Sequence, residues 1–277
     1  MEAPAVSRPT ALTVGLGGFG AIGGALARRL DQGLPGLRLL AVSARDVARA
    51  EARLAELATP VPVVPLGELA RLADVVVECA PAAVFRAVAE PAIKAGRIFM
   101  PVSVGQLLEN SDLVRLAERS GARIIVPTGA LLGLDAVRAA AEGAISAVTM
   151  VTRKPPKGLI GAPYLEARGI DLEGLSEPRK VFEGSARDGA RGFPANVNVA
   201  AALSLAGIGP DRTRLEIWAD PGVTRNTHRI VVEADAARFE MQIENVPTAE
   251  NPRTGRITAL SVLAALRRLT ATLVVGS

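Results

Sequence analysis

The sequence predicts an α/β protein in which a doubly wound parallel sheet is joined to a second, α+β domain. Three observations carry this. Short apolar runs alternate with helical patterns over the first 130 residues, a glycine-rich turn follows the first run, and the texture changes after about residue 131. Continuously apolar strands separated by helices are what a parallel sheet buried on both faces requires. Right-handed crossovers then wind the helices onto both sides.

In order, residues 11–16 read as the first strand, 21–30 as a helix, 37–42 as the second strand and 46–57 as a charged helix. A short third strand is expected over 61–64, a fourth over 74–80, and a helix over 82–95. Strands over 97–102 and 123–126 flank a helix over 113–119. In the second domain, 144–152, 214–219 and 228–233 read as strands, and a Gly- and Pro-containing stretch runs to Pro178. Residues 239–244, Phe-Glu-Met-Gln-Ile-Glu, alternate strictly, as a sheet with one wet face does. A last helix over 257–269 sets Ile257, Leu260, Leu263 and Ala264 on one stripe and is expected to pack back on the first domain. The division is therefore 1–130 with 248–277 for the first domain and 131–247 for the second.

Composition narrows the function classes. The 277 residues are 49% hydrophobic and 22% charged, enough for a large core, with only 3% aromatic. The net charge of +4 reflects 32 basic against 28 acidic residues, scattered rather than striped, which argues against nucleic-acid binding. The lone Cys79 excludes an intramolecular disulfide and sits in an apolar run as a small core residue. No histidine pair or carboxylate cluster has ligand spacing, so no catalytic metal is expected. The first nine residues read as a loose tail without a signal core, and no stretch is apolar enough for a membrane helix, so a cytoplasmic protein is expected.

The turn Gly18-Phe-Gly-Ala-Ile-Gly23 lies between a strand and a helix, the context in which such glycines cradle a dinucleotide. Gly15, Gly17 and Gly20 make an overlapping frame, but the later one lets the strand run to Leu16 and opens the helix at Ala21 and Ile22. The first domain is thus read as Rossmann-type, with Gly18, Gly20, Ala21, Ile22 and Gly23 at the coenzyme phosphates. At the second strand's tip, Val42-Ser-Ala-Arg-Asp46, no carboxylate stands on the strand itself. Ser43 and Arg45 are candidates to hold a 2′-phosphate, which leans towards NADP and leaves NAD open. His228 is the only histidine and enters a strand from a turn; its ordinary pKa suits a general acid or base.

The order of several segments resembles the L-aspartate dehydrogenases. These are the glycine loop, Val102-Ser-Val-Gly105, Gly129-Ala130, Thr152-Arg-Lys-Pro-Pro156, Phe182-Glu-Gly-Ser-Ala186, Pro194-Ala-Asn-Val-Asn-Val-Ala-Ala201 and Asn251-Pro-Arg-Thr254. The resemblance covers nearly the whole chain from Thr10, with Thr128 standing where a serine or proline is common. It implies a homodimer, with the second domain for substrate and dimerisation, that oxidises L-aspartate to iminoaspartate with NAD or NADP. Hydrolysis would give oxaloacetate and ammonia, and the imine would feed NAD biosynthesis. It also implies Ala130 and Asn198 at the nicotinamide end and His228 as the active-site residue. Asn198 falls in the first turn of a helix starting near Val197, where its amide can fix a carboxamide or a carboxylate. Arg153, Lys154 and Arg225 are the candidate cations for a substrate with two carboxylates. A homoserine dehydrogenase or dihydrodipicolinate reductase would share the coenzyme loop, but their substrate motifs are not seen. A non-catalytic dinucleotide sensor would leave His228 without a role.

Overall fold

The computed structural model describes residues 11–194, 197–248 and 254–276. The first unit contains β1 (Leu12–Gly17), α1 (Ala21–Asp31), β2 (Leu37–Ser43), α2 (Val47–Leu54), α3 (Leu66–Leu72) and β3 (Val75–Glu78). It continues with α4 (Phe85–Lys94), β4 (Ile98–Pro101), α5 (Gly105–Glu109), α6 (Asp112–Ser120) and β5 (Arg123–Ile124). Then come α7 (Leu134–Ala141), β6 (Ile145–Lys154), α8 (Pro163–Glu166), β7 (Arg179–Ser185), α9 (Ala186–Gly192) and α10 (Asn198–Ala206). The last elements are β8 (Thr213–Ala219), β9 (Asn226–Ala234), β10 (Arg238–Asn245) and α11 (Arg256–Arg268).

The first sheet has five strands in the order β2-β1-β3-β4-β5, all parallel. All four residues of β3, Val75 to Glu78, are buried because helices cover both faces. The segment expected as a strand over 61–64 makes only an isolated parallel bridge, Val42 with Val63. Pro60, Pro62 and Pro65 lack the N–H donors that would extend the ladder, and only two bonds to Val42 form. Helix α3 was not expected; it is a seven-residue helix that opens after Pro65 and buries Leu69 and Ala70.

The second sheet is mixed, in the order β10-β9-β6-β8-β7, with β6 and β8 parallel and the other pairs antiparallel. One face buries Val148, Met150, Leu215, Ile217, Ile230 and Val232 in a core that continues into α10 and α5. Helix α10 is buried over Val199 to Ser204, a helix apolar all round and held between the two units.

Helix α11 packs on α1, and its Val262, Leu263 and Leu266 join Leu26 and Leu30 in one core. The expected stripe is displaced. Leu263 is buried, but Ile257 and Leu260 are 39% and 58% exposed and Ala264 faces solvent. Thr258 and Ser261 occupy the inner face instead. Burial is tolerable there because the Ser261 hydroxyl donates to the Thr258 carbonyl at 2.8 Å and accepts the Gly129 N–H at 2.9 Å.

Candidate active site

A cleft of about 330 Å³ opens where the carboxyl ends of the parallel strands meet the second sheet. Ligands bind at this crevice in open α/β sheets. Ile22, Val102, Val104 and the segment 127–130 form one wall; Lys154, Asn198, Asn226, His228 and Asn245 lie opposite.

The three loop glycines serve different ends. Gly18 has φ +126°, and a Cβ there would strike the Cys79 carbonyl oxygen. A Cβ at Gly23 would strike the Gly18 carbonyl, so this glycine lets α1 approach the loop closely. At Gly20, the N-cap of α1, a Cβ would meet nothing within 4 Å. That cap supplies no side-chain hydrogen bond and the first turn holds no acidic residue, so the helix start leaves first-turn N–H groups uncapped by side chains, an arrangement that suits a pyrophosphate. In the competing frame Gly15 and Gly17 lie in β1, where a Cβ would press on Ala73 and Val88. Those two glycines serve sheet packing.

The loop is braced from behind. The Gly18 N–H donates to the Ser43 carbonyl at 3.0 Å, and the Cys79 thiol donates to the Gly18 carbonyl at 3.2 Å. Ser43 is buried at the β2 tip, while Arg45 is exposed beside it. Asp46, the next carboxylate along the chain, caps α2 by accepting the Arg49 N–H at 3.0 Å. Below the crevice, the fully buried Glu78 carboxylate accepts from the Ser103 N–H and hydroxyl and from the Ala80 N–H, at 2.9 to 3.0 Å. Burial raises its pKa, and these three bonds hold it back.

The opposite wall is a patch of polar side chains on an otherwise apolar sheet face. In β6, Val148 and Met150 are followed in the same phase by Thr152 and Lys154. In β9, Ile230 and Val232 share their phase with His228, which is paired with Thr152. In β10, Phe239, Met241 and Ile243 are followed by Asn245. Side chains two apart share a face, so the strand ends place these four groups together.

His228 is 3% exposed and shares a 3.1 Å hydrogen bond between Nδ1 and Thr152 Oγ1. Burial first, and the Lys154 charge second, push its pKa down to about 3. The expected near-neutral pKa is thereby corrected: this imidazole is neutral throughout the physiological range. Lys154 is 5% exposed and lines the cleft. The other two candidate cations do not line it. Arg153 points to the opposite face, pairs with Asp220 at 3.0 Å and stacks on Trp218, and Arg225 is exposed.

Asn198 begins α10, and its Oδ1 accepts the Gly105 N–H at 3.0 Å. Asn245 is 4% exposed, and its Nδ2 donates to the Ala130 carbonyl at 3.0 Å. Ala130 lines the cleft beside Thr128 and Gly129. Asn196 and residues 251–253 of the resembling segments lie outside the described residues. Among the described residues, no group of three or more His, Cys, Asp or Glu could hold a metal ion. Nor is any helix long and apolar enough to cross a membrane.

Comparison with known proteins separates the two halves. A model of the homoserine dehydrogenase NAD-binding domain matches residues 18–127, which accounts for the coenzyme unit alone. A model of the aspartate dehydrogenase C-terminal domain matches residues 135–269, the part that carries Lys154, Asn198, His228 and Asn245. An L-aspartate dehydrogenase of Bradyrhizobium diazoefficiens is 59% identical over 96% of this chain and 94% of its own. The chain belongs to the L-aspartate dehydrogenase family. L-aspartate dehydrogenase 3 of Bordetella bronchiseptica is also 59% identical, over 96% of this chain and 98% of its own. The crystal structure of the aspartate dehydrogenase from Thermotoga maritima superposes with a TM-score of 0.70 at 25% identity, covering 96% and 99% of the two chains.

Proposed function

We propose that this chain is an NAD(P)-dependent L-aspartate dehydrogenase that converts L-aspartate to iminoaspartate, which water turns into oxaloacetate and ammonia. The carrying observation is a neutral, buried imidazole beside a buried lysine, both facing the end of a dinucleotide crevice. The bound nicotinamide coenzyme supplies the hydride acceptor. Gly18, Gly20, Ala21, Ile22 and Gly23 hold its phosphates, Ser43 and Arg45 face its adenosine ribose, and Ala130 and Asn198 fix its nicotinamide end. Lys154 meets a substrate carboxylate. With Nδ1–H donated to Thr152, His228 Nε2 accepts a proton from the substrate nitrogen while the Cα–H electron pair departs and the C=N bond forms. The substrate's carboxylates raise the proton affinity of His228 from its low value in the free enzyme, so the proton is taken up when it is needed.

The domain division follows this labour: 1–130 with 248–277 for coenzyme, 131–247 for substrate. A cytoplasmic homodimer fits the same reading. The second sheet's outer face carries half-buried Thr149, Val151, Val231 and Trp218, ringed by ion pairs such as Arg238 with Glu233. That face is the one we assign to the partner protomer.

The direct test follows absorbance at 340 nm with L-aspartate and NAD or NADP in parallel. His228→Ala should lower kcat by roughly 10²–10⁴-fold and leave coenzyme affinity nearly unchanged. An unchanged kcat removes the histidine from the mechanism, and coenzyme binding without turnover of any amino acid makes the protein a sensor.

A further inference from the structure

Asn245 Oδ1 is, among the described residues, the buried side-chain oxygen or nitrogen left without a hydrogen-bond partner. The amide cannot turn to relieve it, because Nδ2 is committed to the Ala130 carbonyl at 3.0 Å. The neighbouring residue is Gly255, where a Cβ would stand 3.1 Å from this oxygen and crowd it. A buried acceptor left unmet disfavours a state by tenfold or more, so a ligand donor that meets it gains by the same factor.

Asn198 is the mirror case on the same wall of the cleft. Its Oδ1 is committed to the Gly105 N–H, so the end it has to offer is the Nδ2 donor. Both asparagines come from the second unit, and both are anchored to backbone of the first. The seam therefore presents one oriented donor and one oriented acceptor. A primary carboxamide needs that complement: an acceptor for its N–H and a donor for its C=O. We propose that Asn245 is a coenzyme-recognition residue whose Oδ1 accepts an N–H of the nicotinamide carboxamide, while Asn198 donates to the carboxamide oxygen. This rests on the coenzyme site assigned above and adds to it the group that orients the ring, and so the face offered to the substrate.

The 3-acetylpyridine analogues of NAD and NADP replace the carboxamide NH2 by methyl and keep the carbonyl. Dissociation constants are measured by calorimetry, without aspartate, for the natural coenzyme and its analogue. The wild-type protein should bind the analogue about tenfold or more weaker. In Asn245→Ala that ratio should fall to about one through weaker binding of the natural coenzyme, with the analogue little affected. Asn245→Asp keeps an acceptor oxygen and should keep most of the ratio, which serves if the alanine variant does not fold. Equal wild-type affinities overturn the proposal, as does a ratio that survives in Asn245→Ala. So does a variant in which coenzyme binding is intact and only the aspartate KM rises, since the oxygen would then serve the substrate ammonium. Failure of both coenzymes to bind the wild-type protein overturns the dehydrogenase reading itself.

Discussion

His228 owes its behaviour to where it is buried. In an unfolded chain it titrates near 6.5, whereas in the fold it resists protonation until about 3. Between those values only the unfolded state gains the proton. The contribution is complete above pH 6.5 and drains as pH falls, by up to about 1.4 kcal/mol per unit. In urea unfolding, the wild type should lose roughly 2 kcal/mol more than His228→Gln between pH 7 and pH 5. Parallel losses would show that the imidazole is not buried in its neutral form. Lys154 acts on the same group by charge, and the function proposed above pairs it with a substrate carboxylate. Lys154→Met should raise the aspartate KM roughly 10- to 100-fold and leave coenzyme affinity nearly unchanged, by steady-state kinetics and calorimetry. A variant with normal KM would move the carboxylate contact elsewhere.

At the scale of elements, the glycine loop divides into positions that fold the chain and one, Gly20, that borders open space. Gly20→Ala adds a methyl to open space, so thermal stability should stay within about 1 kcal/mol of wild type while coenzyme Kd rises about tenfold. Gly18→Ala is forced into a positive φ against the Cys79 carbonyl and should cost roughly 2 kcal/mol or more before any binding is measured. Equal melting temperatures for the two variants would contradict this division. The loop's later frame was legible from its neighbours, because a strand ending at the loop and a helix opening after it leave one phase for the turn. The residue types at the β6, β9 and β10 ends carried a signal of their own. Thr152, Lys154, His228 and Asn245 each interrupt an apolar phase on the inner face. Read along one strand such a break looks like an edge; only the pairing of three strands makes it a site. Short elements such as α3 and α9 left no usable pattern, since seven residues hold barely two helical turns.

For the whole molecule, the half-buried outer face of the second sheet is the test of assembly. With Val231→Arg, a charge enters that face opposite Thr149, and the homodimer proposed above should dissociate in light-scattering chromatography while the monomer keeps its secondary structure. A variant that stays dimeric would place the interface elsewhere. The two units are also less separable than their strand patterns suggest. One core runs from Val88 and Phe99 of the first unit through Leu107 to Val197, Leu203 and Ile230 of the second. Periodicity, glycine placement and residue type within short windows of sequence suffice for the α/β class, the parallel sheet, the coenzyme turn and the candidacy of the single histidine. Only in the folded chain is His228 neutral, does Lys154 rather than Arg153 or Arg225 face the cleft, and do Asn198 and Asn245 commit opposite ends of their amides to backbone. Each of those depends on desolvation, on which face a strand presents, or on a hydrogen bond to backbone more than ninety residues away. No local window contains both partners.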